Sequence, residues 1–119
     1  MPRFKPDPAA VARFAFHVDH AGRFTVISAH GIGDATVFVE GSDTLRQRMA
    51  VAGNGQRLVQ NFVDSAEHSY WGDEYYPPLF NALLNWVEKG QKPTPAGIAA
   101  SCVNNLALPP KTASFCLTT

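Results

Sequence analysis

The segment that most constrains this chain is Phe24-Thr25-Val26-Ile27-Ser28-Ala29, a β-branched and apolar run followed at once by His30-Gly31-Ile32-Gly33-Asp34. Apolar residues on both faces suit a strand sandwiched between helix layers, as in parallel sheets, better than a strand with one face in water. Such a strand needs partners along both edges, because an unpaired backbone N–H or C=O away from water costs about as much as a lost hydrogen bond. The expected class is therefore α/β, with this strand near the middle of a sheet.

The flanking segments fit that class. Asp7-Pro8 reads as an N-cap and first helical position for a short helix through Phe14, with Val11 and Phe14 inward. Ser42-Asp43 can cap a helix from about Thr44 to Ala52, with Leu45, Met49 and Ala52 on one face, ended by Gly53-Asn54-Gly55. Leu58 to Val63 reads as a second, more amphipathic strand nearer a sheet edge, and Asp64 to Ser69 as the loop leaving it. Asp73-Glu74, then Pro77 and Pro78, open a last helix that Lys89-Gly90 closes. Its Leu79, Phe80, Leu83, Leu84 and Val87 recur at helical spacing and predict a wide buried stripe. From Gln91 onward, prolines 93, 95, 109 and 110 predict a surface-wrapping tail without long regular structure.

The order helix, strand, helix, strand, helix, tail predicts two parallel strands with flanking helices joined by a crossover. Residues 1–92 form a partial domain and residues 93–119 the tail. Two strands of this type do not complete a sheet. The chain is thus expected either to pair with another copy or, the preferred reading, to be part of something larger.

Composition narrows the partners. With 45% hydrophobic and 17% charged residues among 119, the chain belongs to the globular class. Ten basic and ten acidic residues cancel. The basic ones are scattered rather than gathered into a phosphate-tracking stripe, so nucleic acid is not an expected partner. No apolar run approaches the roughly 20 residues that cross a bilayer, and the first residues lack the apolar segment of a signal peptide. Cys102 and Cys116 lie among Pro, Ser and Thr. Paired, they would close the tail and contribute about 3 kcal/mol in the chain-entropy view; the alternative is two unpaired thiols. A disulfide would imply an oxidising, extracytoplasmic compartment, periplasmic or secreted.

In open parallel sheets, chemistry gathers beyond the carboxyl ends of the strands. Asp34 and His68 stand there, one per strand. A carboxylate that accepts a proton from one imidazole nitrogen fixes the tautomer and frees the other nitrogen as general base.

The stretch Val26-Ile27-Ser28-Ala29-His30-Gly31-Ile32-Gly33-Asp34-Ala35-Thr36-Val37-Phe38-Val39 resembles the α/β-hydrolase segment in which a strand and a glycine-bearing turn lead to the triad acid. Leu58 to Val63 with His68 resembles the final strand and histidine loop, and Leu79 to Gly90 with Trp86 resembles the closing helix. The order acid then histidine also matches the family. The resemblance covers roughly residues 23 to 90. It implies the carboxyl-terminal part of an α/β-hydrolase fold, similar to exported bacterial esterases, with Asp34 and His68 as catalytic residues and no cofactor or metal.

The chain departs from that pattern in two places. Glu67 precedes His68 where the family usually has glycine. No Gly-x-Ser-x-Gly, nor even Gly-x-Ser, occurs, so the nucleophile elbow and its share of the oxyanion hole are absent. The chain alone is expected to be inactive, with the serine supplied by an amino-terminal portion outside it and a small-molecule ester as substrate. The alternative is a non-catalytic, self-associating remnant. Tyr70, Trp71 and Tyr75, with Tyr76, form an aromatic cluster that either walls a substrate pocket or packs the loop. His17-x-Asp19-His20 with His30 offers metal-type ligands without a zinc spacing. Gly31-x-Gly33 lacks the third glycine of a dinucleotide fingerprint, since Thr36 holds that place.

Overall fold

In the computed structural model, residues 24–68 and 70–106 are described. The predicted helix at 7–14, the His17-x-Asp19-His20 cluster and Cys116 lie outside them.

The two strands form where the β-branched runs predicted them. β1 spans Val26–Gly31 and β2 Leu58–Val63. They pair in parallel from Val26 opposite Leu58 through Gly31 opposite Val63. Alternation divides their side chains between two layers. On one face, Val26 and Leu58 pack on Met49 and Leu45 of α1, Glu40–Val51. On the other, Ile27 and Val59 meet Trp86 of α2, Tyr76–Lys89, and Ile98 of α3, Pro95–Leu106. The described residues thus form a helix layer, a two-stranded parallel sheet and a second helix layer, which is the α/β class expected.

β1 continues through Gly31 rather than stopping at Ala29, because pairing with β2 runs that far. The expected contrast between the strands is reversed. β2 has four buried residues, whereas β1 is half-buried at every position before Gly31.

α1 begins at Glu40, four residues ahead of the expected start, and its entry at Val39 has no side-chain cap. Ser42, expected as a cap, lies inside the helix, and its hydroxyl goes elsewhere. Asp43 ties to Arg46 and Gln47 on the exposed face. Gly53, at φ 73°, takes the left-handed turn after the helix.

α2 carries Pro77 and Pro78 in its first turn and closes at Gly90, φ 69°. Its apolar stripe is only partly covered. Trp86 and Pro78 are buried and Leu79 packs inward, but Phe80, Leu84 and Val87 are exposed.

The expected irregular tail is corrected by α3, a helix of 12 residues. Proline does not prevent it, because Pro95 occupies the first turn, where no N–H donor is needed. Thr94 Oγ1 accepts the Gly97 N–H at 3.0 Å and Thr94 O accepts the Ile98 N–H. Ile98 and Cys102 point into the core, each 2% exposed.

Candidate active site

Asp34 leaves the end of β1 in a tight turn. Its own N–H donates to Gly31 O at 3.2 Å, and its Oδ1 accepts the N–H groups of Thr36 at 2.7 Å and Val37 at 3.0 Å. An aspartate that binds backbone two and three residues ahead stabilises its own loop. One carboxylate oxygen is thereby engaged, and Oδ2 is left for another partner.

His68 reaches that oxygen from the loop after β2. Its Nδ1 donates to Asp34 Oδ2 at 2.7 Å, a length typical of a charge-assisted bond. The aspartate side chain is almost fully buried while the imidazole is about half exposed. The structure thus brings together the two residues singled out in the sequence.

The loops approach closely at two glycines. Ile32 N–H donates to Val63 O and Gly33 N–H to Ser65 O, so the two loops leave the sheet side by side. A Cβ on Gly31 would lie 2.8 Å from Ser65 O and 3.0 Å from Glu67 O, and one on Gly33 would lie 3.3 Å from Ala66 Cα. Gly31 is therefore a steric requirement of the histidine loop, and Gly33 sits at a close approach to it. That loop is further shaped by Ser65 Oγ accepting the Glu67 N–H, and by Trp71 Nε1–H donating to Glu67 O at 3.2 Å.

The electrostatics follow from the bonds. The hydrogen bond from His68 holds the Asp34 carboxyl down at about 2, below its usual 3.8. The Val37 and Thr36 N–H groups act in the same direction, against the burial that pushes it up. Ionised Asp34 is acceptor-only, so Nδ1 of His68 must carry a proton; in the neutral ring Nε2 then keeps its lone pair. The arrangement is a carboxylate-oriented imidazole able to take a proton from a group placed above it.

A second histidine borders the acid. His30 Nε2 lies 3.9 Å from Asp34 Oδ2 and donates to Val37 O at 2.9 Å, while Ser42 Oγ lies 3.2 Å from its Nδ1. Sequence reasoning placed His30 only among metal-type ligands and Ser42 only as a cap. Among the described residues no group of His, Cys, Asp and Glu is arranged to hold a metal ion.

The aromatic cluster divides. Tyr70 is exposed, its hydroxyl donating to Asp73 at 3.0 Å. Trp71 is half-buried beside the histidine loop. Tyr75, expected with them at a substrate pocket, is instead a core residue, 3% exposed among Val63 and Cys102. It meets Trp71 edge to face at 5.3 Å, and burial pushes its hydroxyl's pKa up. A separate groove between α2 and α3, lined by Ala82, Asn85, Lys92, Thr94 and Ile98, does not include Asp34 or His68.

No family model, curated protein or solved structure matches this chain.

Proposed function

We propose that this chain is the carboxyl-terminal part of a serine hydrolase acting on ester bonds, contributing Asp34 and His68 to a triad whose nucleophile lies outside it. The observation that carries this reading is the 2.7 Å bond from His68 Nδ1 to buried Asp34 Oδ2, with the two residues at the carboxyl ends of adjacent parallel strands. In that role, His68 Nε2 takes the serine proton as the hydroxyl attacks the ester carbonyl, then returns it to the leaving alcohol; the cycle repeats with water. In this reading Tyr70 and Trp71, after the histidine loop, would wall the acyl group. A Cys102–Cys116 disulfide securing the chain's end, and the oxidising compartment it implies, belong to the same proposal.

A fluorophosphonate probe tests it. The chain alone is expected to stay unlabelled, and mixing with the serine-bearing amino-terminal portion is expected to produce labelling on that partner, lost with His68→Ala. Labelling of this chain by itself, or labelling of the mixture that survives His68→Ala, would sink the proposal.

A second reading, a self-associating chain without catalysis, draws on the exposed Phe80, Leu84 and Val87 of α2, a contiguous apolar strip of the kind that marks contact surfaces. Sedimentation equilibrium separates the two, since this reading requires a dimer of the chain alone.

A further inference from the structure

The acid turn is held at both ends, and only one end is held by Asp34 itself. Val37 donates its N–H to Asp34 Oδ1 at 3.0 Å, and its carbonyl accepts from His30 Nε2 at 2.9 Å. Because a carbonyl only accepts, Nε2 carries a proton; in the neutral ring His30 Nδ1 is then the acceptor for the Ser42 hydroxyl at 3.2 Å. Ser42 is buried, and its carbonyl in turn accepts from Gln60 Nε2 at 2.7 Å. His30 of β1 is therefore tied to Ser42 of α1, which Gln60 of β2 holds in turn.

We propose that His30 is a positioning residue for the Asp34–His68 pair: by clamping Val37 O while Ser42 fixes its tautomer, it sets where Asp34 Oδ2 points and hence which nitrogen of His68 carries the proton. The inference rests on Asp34 and His68 acting as a pair and deepens that reading. Its physical basis is that backbone bonds from Gly33 and Asp34 hold the start of the turn, whereas beyond Asp34 the Val37 peptide is held on its N–H side by Oδ1 alone; fixing its C=O as well limits the swing that would carry Oδ2 with it. The 3.9 Å between His30 Nε2 and Asp34 Oδ2 also makes His30 a competitor for that oxygen. Its bond to Val37 O keeps its proton directed away and leaves Oδ2 to His68.

Ring-nitrogen NMR on the full chain reads this without any hydrolysis. The wild-type chain is expected to show His68 as the Nδ1–H form and His30 as the Nε2–H form. In His30→Ala, with circular dichroism confirming a folded chain, His68 is expected to lose its Nδ1–H majority. His30→Gln, which keeps an N–H donor toward Val37 O, is expected to restore it. An unchanged Nδ1–H majority in folded His30→Ala would overturn the inference while leaving the Asp34–His68 pair intact. Should His30→Ala not fold, Ser42→Ala takes its place. Its expected result is a mixture of His30 tautomers together with a reduced Nδ1–H share at His68, and no change at His68 would overturn the inference. A wild-type His68 without the Nδ1 proton would instead sink the pair itself. Failure of fluorophosphonate labelling with all ring tautomers as expected would remove the hydrolase reading and leave the positioning role standing.

Discussion

Asp34 Oδ2 and His68 Nδ1 lie 2.7 Å apart across 34 residues of sequence, and this side-chain bond joins loops that leave β1 and β2 already tied by Gly33 N–H to Ser65 O. It is the point where the fold becomes chemistry. Replacing Asp34 by Asn tests its directionality. The amide oxygen retains the Thr36 and Val37 N–H groups, so the turn survives, but the amide nitrogen then faces Nδ1 as a donor. His68 is expected to move its proton to Nε2, visible in ring-nitrogen NMR. Under the proposed hydrolase role, kcat of the enzyme assembled with its serine-bearing partner is expected to fall by about 10⁴. An Asp34→Asn chain that keeps Nδ1–H would contradict the orientation assigned here.

Acid should expose the same bond. With the Asp34 carboxyl near 2 in the folded chain against 3.8 ordinarily, the unfolded state binds the proton more readily between those values. The stability this group contributes is fully present above about pH 4 and is lost as pH falls toward about 2. Urea midpoints of the wild type and Asp34→Asn, compared at about pH 5 and about pH 2, are expected to converge at the lower pH. A gap that stays constant would show that Asp34 is not the group responsible.

Glycine substitutions separate steric need from helix propensity. Gly31→Ala forces a methyl group against two backbone carbonyls of the histidine loop and is expected to cost about 1–3 kcal/mol. Gly41→Ala, in the first turn of α1 with nothing within 4 Å of the added Cβ, is expected to stabilise by about 0.5–1 kcal/mol. Thermal melts of both variants check the opposite signs.

The core holds one polar contact whose partners matter more than its net worth. Asn61, 1% exposed on β2, donates to the Tyr75 hydroxyl at 2.5 Å, and its Oδ1 has no partner among the described residues. Tyr75→Phe is expected to cost about 1–3 kcal/mol by leaving the buried amide N–H unsatisfied. Adding Asn61→Val is expected to recover much of that loss. A double-mutant cycle with no coupling would count against the contact.

Much of this was legible beforehand. Leu58 to Val63 formed a strand as its β-branched and apolar content predicts, and Pro77, Pro78 and Gly90 bracket α2 because proline and glycine act through local backbone geometry. Misplacements fell where a residue had two local uses. Ser42 can cap a helix, but it pairs with His30 instead. Pro95 can break a chain, but it opens α3 because Thr94 supplies the cap. Tyr75 could have faced a substrate, but it turned inward to meet Asn61.

The sequence by itself determined the class, the two strands and the placement of Asp34 and His68 beyond their carboxyl ends, because strand period and turn chemistry are properties of neighbours along the chain. Only the tertiary structure decided that Asp34 Oδ2 faces His68, that Gly31 and Gly33 make room for the histidine loop, and that His30 holds Val37. Those relationships depend on the register of β1 against β2 and the crossing of α1. Both are set by which distant side chains fill the space between layers, and no local pattern encodes them.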